Sequence, residues 1–407
     1  MMHPDEPREL YGSELKRVGG YPDAFGFPGS WTDTLACIGN SVPPMFMRAI
    51  SAQIGKVLFG IDAWQPDNRM KYTEILEAAW TQHLAPRQPD APTVISTFAG
   101  CGGSSLGYSM AGYRELLAVE WDDNAVATFK LNFPDVPVYH GDICKLTVDE
   151  CLKLAGLTGP RQLDVLDGSP PCQGFSTAGK RDMADDRNQL FREFVRLLRG
   201  LQPKVFVMEN VSGMVKGKMK LIFADILREL KASGYVVSAR LLNAMYFNVP
   251  QSRERMIFIG VREDLGLAAS HPKAESRPIA FLNLHDADST DWLTPGEVAS
   301  IETHRIAQAR AGNSFRYQVI QPNKPAPTFS KTLIRNGSAA LVLVNDSGRL
   351  RLPSRNEHKS AASYPMSFCF SGTRADIWER IGNSVPPLFM RSIARHIRSA
   401  LLDSVQT

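Results

Sequence analysis

Cysteine is scarce: six residues in a chain of 407, at positions 37, 101, 144, 151, 172 and 369. No two form a C-x-x-C pair, so neither a disulfide framework nor a zinc site is expected, and the thiols are read as reduced. Long apolar runs are also missing. None approaches the ~20 residues of a membrane-spanning helix. The opening Met1-Met2-His3-Pro4-Asp5-Glu6 has no basic stretch and no apolar stretch of the secretory kind. The expectation is a cytoplasmic protein without a membrane partner. An excess of charge of one sign is nearly absent as well: the formal net charge is +4, with charged residues at 22% and hydrophobic residues at 43%. That balance excludes wholesale disorder, collagen and coiled coil. The length allows two or three domains at ~100–200 residues each. The basic residues do cluster, with Lys180, Arg181, Arg187, Arg192, Arg196 and Arg199 close together. Such a cluster suits a polyanion, though charge alone favours a solvated helix face.

What is present begins with an internal duplication. Residues 21–50 and 364–393 align without a gap at a constant offset of 343, and seventeen of the thirty positions are identical. Both copies contain IGNSVPP, and the register extends upstream to pair Arg8 with Arg351, Glu14 with Glu357 and Lys16 with Lys359. Two copies do not make a solenoid.

Between the copies, short apolar β-rich runs alternate with helical patterns: 93–98, 115–120, 137–143, 163–169, 204–210 and 253–260. After Asp186, a candidate N-cap, Leu190, Phe191, Phe194, Val195, Leu197 and Leu198 recur at helical spacing. This rhythm predicts βαβ units and a parallel sheet covered on both faces. It stops near residue 262. Residues 263–345 are rich in Asn, Ser, Thr, Pro and charge, with FRYQVI and ALVLV as strand candidates, so a small irregular domain is expected there. A helix is expected after Leu388.

The chemistry-bearing residues fall at strand ends. The first strand runs into Phe98, Gly100, Cys101, Gly102 and Gly103, a turn at which a ligand can approach backbone at a helix N-terminus. Glu120 ends the second strand, where a carboxylate can hold a ribose hydroxyl pair, and Trp121 can stack on an adenine. Asp142 and Ile143 end the third strand. The set points to an adenosine-containing cofactor and leaves NAD and S-adenosylmethionine open. Cys172, after Pro170-Pro171, sits on a loop at the carboxyl end of the fourth strand, where basic neighbours favour thiolate. Glu209 ends the fifth strand. Arg253 and Arg255, two apart, share one strand face and can grip phosphate or a carbonyl.

FAGCGG, PPCQGFS, MENV, QSRER and IGNSVPP occur in the order of the DNA cytosine-C5 methyltransferases, which the chain resembles over about 93–262 and 346–400. The resemblance implies S-adenosylmethionine and a Rossmann-like catalytic domain (93–262 and 346–407). It also implies a small target-recognition domain inserted at 263–345. Residues 61–92 would be a helical linker and 1–60 the duplicated late element. Cys172, Glu209, Arg253 and Arg255 would be catalytic. Cys172 would add to C6 of a flipped-out cytosine, Glu209 would hold N3 and the exocyclic amine, and Arg255 would hold O2. Arg253 would support the thiolate and a nearby phosphate. Phe98, Gly100, Gly102, Gly103, Glu120, Trp121, Asp142, Ile143, Pro171, Asn383 and Val385 would line the cofactor. Gln173, Ser176, Lys180 and Arg187 would meet duplex DNA on a mobile loop.

The resemblance also admits a restriction endonuclease acting on the same site as a partner, and a monomer is expected. Two rivals are a tRNA methyltransferase, against which Phe175-Ser176 counts, and a non-catalytic DNA-binding relative. Two departures stand out. Pro353-Ser354 occupy the place of a usual Thr, which weakens the expected packing role of that element. The N-terminal copy is extra, and docking beside the cofactor turn is assigned to the C-terminal one, with Asn383, Ser384 and Val385 in preference to Asn40, Ser41 and Val42.

Overall fold

The computed structural model describes Glu14, Tyr21, Met47 and residues 30–40, 69–171, 189–215, 219–284, 286, 289, 292–310, 318–331, 341–345 and 348–405. The chain divides into two units, Met1–Pro66 and Asp67–Thr407. In the first, helix α1 spans Trp31–Asn40. The second opens with α2 (Arg69–Leu84) and continues with β1 (Thr93–Thr97), α3 (Gly103–Met110), β2 (Arg114–Glu120), α4 (Asp123–Asn132) and β3 (Val138–His140). Next come α5 (Val148–Leu154), β4 (Val165–Gly168), α6 (Gln189–Leu201), β5 (Val205–Val211) and α7 (Met219–Lys231). β6 (Tyr235–Asn243), β7 (Gln251–Ser252) and β8 (Glu254–Arg262) complete this part. Asp186, the candidate cap of α6, lies outside the described residues.

The main sheet has the order β3-β2-β1-β4-β5-β8-β6. Strands β1 to β5 pair in parallel, each followed by a crossover. The wholly parallel expectation is corrected at the sixth run: β8 is antiparallel to both β5 and β6. No α-helix lies between β6 and β8, only the short 3-10 turn Ala244–Tyr246, and a connection without a crossover returns the chain in the opposite direction. β6 was not among the expected strands, because its outer-edge pattern includes exposed and half-buried positions with Ser238 and Arg240.

The sheet separates two apolar layers at single-residue pitch. Val205 and Val207 face one layer, with Leu106, Tyr108, Leu388, Phe389 and Ile393. Phe206 and Met208 face the other, with Phe194, Leu197, Leu198 and Leu230. Each such side chain removed from water contributes roughly 1.5–3 kcal/mol. This alternation also decides which strand-end polar groups can meet. Asp167, Glu209 and Arg255 share the parity of the first layer.

After β8 the chain forms α8 (Pro295–Arg310), β9 (Gln318–Val319), β10 (Ala326–Pro327), β11 (Leu341–Val344) and β12 (Leu350–Arg351). Of FRYQVI only the Gln318–Val319 part is described as strand. This region has small apolar clusters of its own: Phe281, Ile320, Phe329, Leu341 and Leu343 in one, Leu293, Ile301 and Val342 in another. The return segment holds α9 (Arg355–Ala361), α10 (Arg374–Asn383) and α11 (Pro387–Ile397). Ser354 caps α9 in a reciprocal capping box with Glu357, and Glu357 takes two 2.7 Å bonds from the buried Arg351 guanidinium. The expected weakening at Pro353-Ser354 is therefore corrected: a serine hydroxyl supplies the cap that a threonine would.

α11 packs on α3. A Cβ at Gly103 would run into Val385 O and Tyr364 Oη, and one at Gly107 would lie 2.6 Å from Pro387 O. Glycine at these two positions is what lets the helices approach so closely. Tyr113 Oη donates to Ala394 O at 2.9 Å. The described C-terminal copy thus lies beside the turn after β1.

Candidate active site

The carboxyl ends of β1, β2, β4 and β5 lie along one edge of the sheet, the place where open α/β sheets receive ligands. At the end of β1 the backbone enters the left-handed region at Phe98 (φ 55°), Gly100 (φ 55°) and Gly102 (φ 91°). A Cβ on Gly100 would meet nothing within 4 Å, so the backbone is open to a ligand at that point. Gly102 caps α3 and exposes no side chain there.

Glu120 is buried at the end of β2. Its Oε2 accepts from Gly100 N at 2.8 Å, and its Oε1 from Trp121 N at 2.9 Å and Asp122 N at 3.0 Å. Three of the roughly four acceptor positions of a carboxylate are thereby used on backbone, which stiffens the turn and leaves about one for a hydroxyl. Trp121, the residue after β2, is 76% exposed. Asp122 caps α4 through Ala125 N at 2.8 Å and pairs with Arg380 Nη2 at 2.8 Å. Asp142 accepts from Cys144 N at 3.0 Å, a bond that holds its carboxyl below the usual carboxylate range. The following Ile143 is buried. An open glycine turn, an exposed indole, a carboxylate with spare acceptor capacity and a buried aliphatic fit an adenosine-type cofactor.

The catalytic candidates meet where β5 ends and β8 begins. Glu209 faces Ile257 across the pair and Val211 faces Arg255, so Glu209 and Arg255 are diagonal neighbours on one face. Arg255 Nε lies 2.6 Å from Glu209 Oε1, with both side chains largely enclosed. Asn210, on the opposite parity, donates through Nδ2 to Pro170 O at 3.1 Å. It ties the Pro170-Pro171 loop to β5. Asn210 was quoted within its motif but given no role, and adjacency to Glu209 is the only sequence signal for it. Pro171 is exposed. Cys172, Gln173, Ser176, Lys180 and Arg187 lie outside the described residues.

Arg253 departs from expectation. It is only 2% exposed, and its guanidinium donates to Phe329 O at 3.2 Å and Gly382 O at 2.8 Å. Burial pushes its pKa down to about 9. Of the two acceptors the sequence offered, it takes carbonyls. The head group is enclosed between the insert and the return segment. Asn383 is exposed at the end of α10, while Val385 is buried against Gly103. The side chain of Asn40 lies outside what is described.

Two further carboxyls have raised pKa values, Asp167 near the end of β4 and Glu115 at the start of β2. Asp167 receives the Tyr108 hydroxyl at 3.3 Å, and burial, augmented by Glu209, pushes it up to about 7. Glu115 receives Ser105 Oγ at 3.0 Å, and burial pushes it up to about 8. Cys101 is a buried thiol beside Tyr364 Oη at 3.3 Å, and burial pushes it up to about 11. It is therefore a packing group and no nucleophile. Among the described residues, no group of three or more His, Cys, Asp or Glu could hold a metal. No described helix is long and apolar enough to cross a membrane.

A model of the C-5 cytosine-specific DNA methylases matches residues 1–56 and 92–399, which include both copies of the duplicated segment. The chain is 32% identical over 370 residues to the Type II methyltransferase M.XorII of Xanthomonas oryzae, covering 76% of this chain and 85% of the relative. It is 33% identical over 334 residues to the Type II methyltransferase M1.HphI of Haemophilus parahaemolyticus, covering 75% and 86%. A DNA modification methyltransferase encoded within an E. coli prophage superposes with a TM-score of 0.58 at 26% identity, over 77% of this chain and 100% of that one. The Entamoeba histolytica methyltransferase EhMeth shares the fold, with a TM-score of 0.60 at 16% identity over 78% and 100%. With the strand-edge motifs and the matched span taken together, the chain belongs to the C-5 cytosine-specific DNA methylase family.

Proposed function

We propose that the protein transfers a methyl group from S-adenosylmethionine to C5 of a cytosine flipped out of a short duplex DNA sequence. The observation that carries this reading is the Glu209–Arg255 pair at 2.6 Å, set at the same sheet edge as the open glycine turn. The cofactor would be held by the backbone at Gly100, by Glu120, by the Trp121 face and by Ile143. When bound, S-adenosylmethionine supplies an electrophilic methyl group.

The chain's own residues do the rest. C5 of cytosine is a poor nucleophile within an aromatic ring. Cys172 as thiolate adds to C6 and places electron density at C5. Glu209 hydrogen-bonds N3 and the exocyclic amine, which stabilises the ring as the thiolate adds. Arg255 fixes the Glu209 carboxylate and reaches O2. Asn210 holds the proline loop that carries Cys172. After C5 is methylated its proton leaves, and elimination frees the Cys172 thiol. A base within a duplex cannot reach such an edge, and extrusion costs a few kcal/mol. Gln173, Ser176, Lys180 and Arg187 are assigned to the DNA, and the side chains of the insert to base readout.

The relatives' designation as Type II methyltransferases supports a restriction-modification role, with an endonuclease acting on the same site as its counterpart. The test uses duplex DNA, tRNA and labelled cofactor, with wild type and Cys172→Ala. Methyl transfer to duplex DNA only, abolished by Cys172→Ala, is expected. Duplex carrying 5-fluorocytosine at the target should trap wild type covalently, because fluorine blocks the final elimination. Full activity of Cys172→Ala, or transfer to tRNA alone, overturns the reading.

A further inference from the structure

The extra N-terminal copy has no place in that chemistry, and its residues indicate what it fits. In the C-terminal copy, residues 364–393 have fifteen buried positions, and the N-terminal copy is identical at eleven of them; at the other fifteen it is identical at six. The identities thus concentrate where the described copy is packed. Tyr364, Gly382, Val385, Pro387, Phe389, Met390 and Ile393 correspond to Tyr21, Gly39, Val42, Pro44, Phe46, Met47 and Ile50. Val385, Pro387 and Met390 are among the groups that lie against Gly103 and Gly107 of α3. The helix is kept as well: α1 (Trp31–Asn40) occupies the same register as α10 (Arg374–Asn383).

The changed positions are equally informative. Trp378 Nε1 donates to Ser330 O at 3.1 Å, and its ring lies 5.5 Å from that of Phe329 in the insert. Its counterpart is Leu35. Arg380, which pairs with Asp122 at 2.8 Å, has Cys37 as its counterpart. The N-terminal copy therefore keeps the side chains that meet the glycine face of a helix like α3. It lacks those that reach this chain's own insert and α4. In this chain that glycine face is already filled by α11.

We propose that residues 1–56 are a second docking module, whose partner is another cytosine-methylase catalytic lobe with its α3 face unfilled and a different insert. The module would complete that lobe as α11 completes this one.

Two experiments test it. The first replaces residues 364–393 of the full chain by the sequence of residues 21–50, a chimera of thirteen substitutions. A cooperative thermal transition and a loss of no more than about tenfold in S-adenosylmethionine affinity are expected. The thermal transition reads docking without relying on the cofactor assignment. A chimera that does not fold overturns the proposal. The second co-expresses the full chain with a tagged lobe of residues 61–345 in which 263–345 is exchanged for the insert of a relative. Capture of the full chain, lost when it lacks residues 1–60 or carries Val42→Asp, supports the proposal. No capture, or capture indifferent to residues 1–60, overturns it. Self-association of the full chain that depends on residues 1–60 would likewise overturn it, in favour of a second intact copy.

Discussion

The sheet and the insert are built on different scales. The sheet lies between two extensive apolar layers, and its polar strand ends are held by short bonds fixed in register, such as Glu209 to Arg255. The insert has two small clusters, one of them shared with Ala361 and Trp378, and among the described residues it meets the rest through β10 beside β7, Trp378 on Ser330, Arg253 on Phe329 O and side-chain bonds at Ser270, Glu275 and Ser276. A large core fixes reacting groups within fractions of an ångström, as chemistry demands. A lightly anchored body can change its surface without disturbing that geometry. On the proposed function, this difference would separate which atom is methylated from which sequence is read.

The largest effect expected from breaking this division is at Glu209. Glu209→Gln keeps the shape but not the titratable carboxylate, so the methylation rate should fall by about 10²–10⁴ with an altered pH profile. The target sequence, read from the residual products, should be unchanged. A shift in target sequence would show that the two halves are not separable.

Trp378→Ala comes next. It removes a buried ring from the insert's main cluster together with its bond to Ser330 O, a loss of about 3–5 kcal/mol where the cluster cannot collapse. Limited proteolysis should then cut within 263–345 before it cuts the sheet. Simultaneous loss of both would show that they unfold as one body.

The smallest effect concerns pH. Asp167 is pushed up to about 7 by burial, against an unfolded value near 3.9. The folded state therefore holds a proton that the unfolded state releases. Stability is unpenalised below the unfolded value and is lost as pH rises toward 7. Asp167→Asn should be stabilising at pH 8 and close to neutral at pH 4, as denaturant midpoints would show. An equal gain at both pH values would remove burial of charge as the cause.

How much of this could be read in the chain follows the same division. β1, β4 and β5 were legible because strands covered on both faces are continuous apolar runs. The order Phe98 to Gly103, Glu120, Asp142, Glu209 placed the candidate residues at one edge. Strand direction was not legible, since a period of two is the same either way. Nor was the 2.6 Å pair, which depends on the register of β5 against β8. QSRER announced one shared face for its arginines, but not that Arg253 would be roofed over by Phe329 and Gly382, residues distant in sequence. The insert was the least legible part, because its order rests on a few contacts rather than on a repeating pattern.

The reversal of β8 has a consequence for how this chain is routed. A parallel strand delivers its last residues to the active edge; a reversed one delivers its first. Arg255 therefore arrives ahead of its strand, and the chain leaves β8 at Arg262, on the far side of the molecule from the chemistry. To build the insert it has to travel back, and residues 263–280 are that return path. They are fastened along the way by Ser270 Oγ to His396 Nε2 at 2.9 Å, Ser392 Oγ to Glu275 Oε2 at 2.7 Å and Asn248 N to Ser276 Oγ at 2.7 Å. The segment is a tether of fixed span. Through these bonds the start of the insert is fastened to α11 and to the stretch between β6 and β7.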